Sequence, residues 1–186
     1  MKIVQAFILC FLASLATAKD WAPGYWIKNT GDTVEGSIKF RKIDVPRRAW
    51  FRGADGVTRE LRTANTREFG KQGTTYKRVS FTSSQLGWVD TFFMEQMRVG
   101  AGVELFYGKV TSEGCGCNGA KFTVTHKWVL QGTREEAMEV VEEDRWGRIE
   151  NSEALAALFL AQGLRIDPGV LLRVADLEDT ISAHNF

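Results

Sequence analysis

A mainly β, α+β fold is predicted by three observations: apolar and polar residues alternate with period two through much of residues 24–131, turn residues recur between the alternating runs, and the period turns helical after Thr133. The expected architecture is an antiparallel sheet forming a sandwich or partly open barrel, with C-terminal helices packed on it.

The first hairpin is GYWIKNTGDTVEGSIKF, residues 24–40. Tyr25 and Ile27 share one face, Asn29-Thr30-Gly31-Asp32 supplies the turn, and Val34, Ile38 and Phe40 return at period two with Glu35, Ser37 and Lys39 opposite. A second hairpin pairs 49–52 with 57–61 through Gly53-Ala54-Asp55-Gly56, whose glycines accept the positive φ of a tight turn. Residues 63–72 are polar and predict only a turn or short helical element, before a strand over 74–81.

Asp90–Val99, carrying Phe93, Met97 and Val99, and Val103–Thr111, carrying Val103, Leu105 and Tyr107, flank a Gly100-Ala101-Gly102 turn. The glycine-rich loop SEGCGCNGA then leads to Lys121–Gln131, in which Phe122, Val124, Trp128 and Leu130 share a face.

Thr133 and Glu136 form a capping box for a helix with Ala137, Met138, Val140 and Val141 as its apolar stripe. Its acidic residues, Glu139 among them, read as a solvated face. Ser152 opens EALAALFLAQ, which Gly163 can end. After Pro168, the buried positions expected are Leu171, Leu172, Val174, Leu177 and Ile181. No proline- or serine-rich linker intervenes, so residues 19–186 read as a single β-rich domain with 133–186 as its helical C-terminal part.

Residues 1–18, MKIVQAFILCFLASLATA, have the form of a secretory signal: Lys2, an apolar run, and a small-residue cleavage site at Ala16-Thr17-Ala18. The run is short for a membrane anchor and is interrupted by Gln5. Cys10 follows bulky Ile8 and Leu9, which fits an apolar-run residue better than a lipidation site. Cleavage after Ala18 implies a periplasmic or extracellular address, no transmembrane segment in the mature chain, and no nucleic-acid partner. Residues 19–100 hold 15 Lys/Arg and 9 Asp/Glu, whereas 101–186 hold 8 and 14. The simpler reading is that the two halves pair across the surface. The sharper one is a basic face of Arg41, Lys42, Arg47, Arg48, Arg52, Arg59 and Arg62 that meets an anionic envelope surface.

GYWIKNTGDTVEGSIKF, ELFYGKV and the terminal DLEDTISAHNF together resemble a secreted, uncharacterised protein family of Bacteroidota, in which a strand leads into GDTxxGxI and the chain closes on an Asn-containing helix. The resemblance spans most of the mature chain and is specific in the first hairpin. It implies an envelope location and a β-rich fold, and carries over no active site. The chain departs from the pattern in its CGC loop and in His184, where an aromatic residue often sits.

Candidate chemistry centres on Cys115, Cys117 and His126. An oxidising compartment favours a disulfide, although one intervening residue closes a small, strained ring. Metal binding with His126 as third ligand is the competing reading, at a spacing that matches no common zinc pattern. His126 shares its strand phase with Phe122, Val124 and Trp128, so a partly buried strand position is the simpler assignment. No Gly-x-Ser-x-Gly elbow, His-Glu-x-x-His or phosphate-cradling loop occurs. Asp32 is explained by turn chemistry, with a ligand role as its alternative. Trp21, Trp26, Trp50, Trp88, Trp128 and Trp146 offer either core packing or a carbohydrate platform.

Two functions follow. The first is a non-catalytic envelope protein, with no catalytic residue, cofactor or metal, that binds a protein, glycan or anionic surface. The alternative is a small hydrolase or thiol- or metal-dependent enzyme using the Cys115/Cys117 loop.

Overall fold

The computed structural model describes residues 21–40, 48–82, 87–100, 102–116, 119–132, 137–141 and 148–184, with backbone alone for 110–116 and 119–125. Ten strands form one antiparallel sheet: β1 (Ala22–Lys28), β2 (Thr33–Lys39), β3 (Arg48–Arg52), β4 (Thr58–Arg62), β5 (Thr66–Lys71), β6 (Thr74–Thr82), β7 (Val89–Gly100), β8 (Val103–Gly116), β9 (Gly119–Gly132) and β10 (Met138–Val140). Their spatial order is β10-β9-β8-β7-β6-β5-β1-β2-β3-β4. Among the described residues, two α-helices follow, α1 (Ser152–Ala161) and α2 (Val174–Ala183). The fold is thus mainly β, antiparallel, with C-terminal helices on the sheet.

Period two decides what each face buries. Ile38, Ala49, Phe51, Leu61, Phe69, Tyr76 and Phe93 form one core on a single face of the sheet, at the β1–β5 end. At the other end, that same face presents Val103, Leu105, Leu130 and Val140 to Leu155, Phe159, Leu171, Leu177 and Ile181. The opposite face buries Val79, Phe81, Phe92, Met94, Phe106 and Val129. A parallel bridge between Phe81 and Ala137 draws the entry to β10 back toward β6, so the β6–β10 part closes partly around this third core.

The first turn is built by its own residues. Gly31 sits at φ 93°, its N–H donates to Lys28 O, and the Thr30 hydroxyl donates to Asp32 Oδ2 at 2.7 Å. Asp32 is a turn residue here.

Two expected elements are corrected. Residues 66–71 form strand β5, paired with β1 on one side and β6 on the other. Its lone large apolar residue, Phe69, is fully buried, and Gly70 lets the Tyr25 ring lie against the backbone: a Cβ there would stand 2.1 Å from Tyr25 Cε1. Residues 138–140 form strand β10, not a helix. Met138 and Val140 join the helix-covered core while Glu139 points to the other face, where buried Lys127 is its ion-pair partner. Glu139 is therefore a buried charge and not part of a solvated face. Thr133 and Glu136 lie outside the described residues.

Smaller corrections follow from the same geometry. A bulge between Gln96 and Arg98 reverses the phase of β7 and leaves Val99 half exposed. Leu172 is 55% exposed, whereas Leu171, Leu177 and Ile181 are fully buried. Cys115 and Gly116 belong to a long β8–β9 ladder rather than an open loop, since Cys115 pairs with Ala120 and Gly116 with Gly119; Cys117 lies outside the described residues.

Both helix boundaries are set by local hydrogen bonds. Asn151 accepts from Val141 N and donates to Glu139 O, tying the start of α1 to β10. Gly163, at φ 86°, ends the helix while Leu164 N bonds Phe159 O. Asp176 in the first turn of α2 accepts from Arg173 N at 2.7 Å.

Candidate functional site

One cross-strand row organises the exposed chemistry. Val34, Trp26, Phe69, Tyr76, Glu95, Tyr107, Trp128 and Val140 are successive partners across β2, β1, β5, β6, β7, β8, β9 and β10, so all lie on the same face. One end of this row is buried in the β1–β5 core and the other meets the helix-covered core. The centre, at β6–β8, is open.

There a groove of about 480 Å³ is lined by Phe40, Tyr76, Glu95 and Tyr107, with Lys71, Gln72, Thr74 and Lys109 at its sides. A second depression of about 330 Å³ shares Thr74 and Glu95 with it and continues to Met97 and Arg98. The β7 bulge thus shapes the extension.

Aromatic packing makes both banks rigid. Phe69 stacks on Tyr76 with ring centroids 5.0 Å apart, and Phe40 meets Tyr76 edge-on at 5.2 Å. On the other bank, Tyr107 lies 4.8 Å from Trp128, and its hydroxyl shares a hydrogen bond with His126 Nδ1. Lys71 Nζ sits 4.5 Å from the Phe40 ring centre, placing a cation on an aromatic face.

Glu95 is the electrostatic centre. Burial, then the Glu95 charge, pushes the Tyr76 phenol up to about 12 from its ordinary 10.0. The same two causes, in the same order, raise Tyr107. Both phenols are protonated at neutral pH, and the Tyr107 hydroxyl is engaged with His126. The described lining holds one carboxylate, two lysines and amide and hydroxyl groups, an arrangement suited to directional polar contacts over aromatic surface.

The opposite face carries a polar recess of about 300 Å³ in which Lys77 Nζ donates to both Glu104 oxygens at 2.8 and 2.9 Å, and Gln96 donates to Glu104 at 3.0 Å.

The sequence candidates fall elsewhere. His126 lies in β9 opposite Lys109 and is exposed, not partly buried; its bond to Tyr107 places it at the groove's far bank. Cys115 pairs with Ala120, six residues along β9 from His126, a backbone separation of about 20 Å at strand rise. Cys117 lies outside the described residues, and no group of three His, Cys, Asp or Glu residues suited to a metal occurs among the described ones. Of the basic face, Arg41, Lys42 and Arg47 lie outside the described residues. Arg59 pairs with Asp55 at 2.6 Å, Arg62 with Glu60 at 2.5 Å, and Arg52 stacks 4.3 Å over Trp21. Trp88 is 58% exposed and Trp26 packs 5.5 Å from Phe51, while Trp146 is outside the described residues.

Comparison with protein-family models, curated proteins and solved structures finds no match. No described helix is long and apolar enough to cross a membrane.

Proposed function

We propose that the mature chain is a non-catalytic binding module of the cell envelope, and that its ligand surface is the groove around Glu95. The observation that carries this reading is the row Tyr76–Glu95–Tyr107: two half- to fully buried phenols and a carboxylate, fixed by strand register, stand in the gap between two cores. A fold has no packing need for an acid inside an aromatic row. Its presence at an open groove is economically explained by recognition, because rigid aromatic walls and a few placed polar groups are the usual composition of a small-ligand site.

The address rests on the leader. Lys2, the apolar run to Leu15 and Ala16-Thr17-Ala18 support secretion with cleavage after Ala18, and the resemblance to secreted Bacteroidota proteins supports the same compartment. Intact-mass measurement of protein recovered from the envelope should show a chain beginning at Lys19; retained Met1 or a lipid on Cys10 would refute it.

The binding reading is tested by incubating immobilised mature protein with fractionated cell envelope. Retention of an envelope component by wild type and its loss with Tyr107→Ala is expected. Equal retention by the two proteins, or none by either, would overturn the assignment of this groove.

A further inference from the structure

Resting on that reading, we infer that the groove binds an acidic saccharide, with a pyranose face on the aromatic bank, ring hydroxyls at Glu95 and a sugar carboxylate at Lys109. Each part of the ligand is matched by a named group. Pyranose rings present an apolar C–H face, which stacks on flat aromatic surface; partly exposed Tyr107 supplies such surface, and Phe40 adds an apolar edge across the groove. Vicinal hydroxyls donate to a carboxylate in pairs, and Glu95 stands between the two tyrosines in the groove lining. The Tyr107 hydroxyl is already hydrogen-bonded to His126 Nδ1, so this residue offers a sugar its ring face.

Charge selects among saccharides. Exposed Lys109 supplies a cation at the side of the groove, which favours an anionic sugar over a cationic one. Lys109 is exposed, two residues along β8 from Tyr107 on the same face, within one sugar ring's reach of the stacking position. The central carboxylate works against a polyphosphate, whose charge density would meet Glu95 head-on. A uronic-acid chain avoids this conflict, since each ring carries a single carboxylate beside its hydroxyls and only that carboxylate need approach Lys109.

The shared wall of Thr74 and Glu95 joins the groove to the depression along the β7 bulge, giving room for more than one sugar unit. A short oligomer fits this shape better than a monosaccharide.

The test is isothermal titration of the mature protein with tri-galacturonic acid and with its fully methyl-esterified, neutral counterpart. The acid should bind at least about tenfold more tightly than the ester, the loss expected for one charge-assisted contact. Lys109→Met should abolish that difference, bringing acid and ester to the same affinity. Tyr107→Ala should weaken both ligands, and Tyr107→Phe, which keeps the ring, should retain them even where the alanine variant folds poorly. Equal affinity for acid and ester, or binding of neither, would overturn the saccharide assignment. If envelope retention still depends on Tyr107 in that event, the binding module stands and only its ligand class is wrong; if retention ignores Tyr107, the groove itself is misassigned.

Discussion

Glu95 stands directly across the β7–β8 ladder from Tyr107, and the same residue faces Tyr76 across β6–β7. Its charge contributes to the raised pKa of both phenols, after burial. Glu95→Gln should therefore lower both, leaving Tyr76 still elevated because burial is the larger cause. Ultraviolet titration of tyrosinate absorbance checks this, and identical wild-type and variant curves would refute it.

The same shift fixes a pH dependence. Tyr76 in the folded chain holds its proton up to about 12, whereas the unfolded chain loses it near 10.0. Between these values the folded state binds more protons, so its stability falls as pH rises through the window and is fully present below it. Denaturant melts of wild type should show this loss, and Glu95→Gln should compress the window from its upper end.

Lys127 and Glu139 are a buried ion pair on the face opposite the groove. Lys127→Met removes the Lys127 ion pair from a buried carboxylate and should cost roughly 3–5 kcal/mol. The double variant Lys127→Met/Glu139→Leu should recover most of that loss. Additive losses in the double variant would show that the pair is not coupled.

Gly70 is required by the Tyr25 ring that covers it. Gly70→Ala should destabilise by about 1–3 kcal/mol through overpacking, read from the denaturant midpoint. At Gly73, φ is 83° and nothing lies within 4 Å, so Gly73→Ala should cost only its left-handed backbone strain, about 1–2 kcal/mol, with no response to shortening Tyr25.

The separation of Cys115 from His126 along β9 predicts indifference to chelators. Replacing Cys115 and Cys117 with Ser should change the melting temperature little, because a bridge between them closes almost no chain. A chelator-sensitive drop in wild type that disappears in the double variant would instead make the hairpin tip a metal site.

The fold was legible where side chains alternate strongly. Val34 and Ile38, or Val103, Leu105 and Tyr107, declare their strands unaided. TREFGK does not, because one phenylalanine makes no pattern; β5 exists because β1 and β6 both pair with it. AMEVV fits helical spacing and strand alternation alike, and only Lys127 on the neighbouring strand decides between them. The groove was hidden for a related reason. Tyr76, Glu95 and Tyr107 are each visible as strand residues, but their adjacency is a property of register, which hairpin turns and the Met97 bulge set and residue types alone do not. Tyr107 in ELFYGKV, in phase with buried Leu105 yet polar at its tip, was the available signal.

The groove's role is tested most directly by amide NMR of the mature protein titrated with solubilised envelope polysaccharide. Shifts should concentrate at Lys71–Tyr76, Glu95–Met97 and Tyr107–Lys109, and Glu95→Gln should suppress them. Shifts confined to the β8–β9 hairpin tip or to α1 and α2, with these segments silent, would contradict a binding surface centred on Glu95.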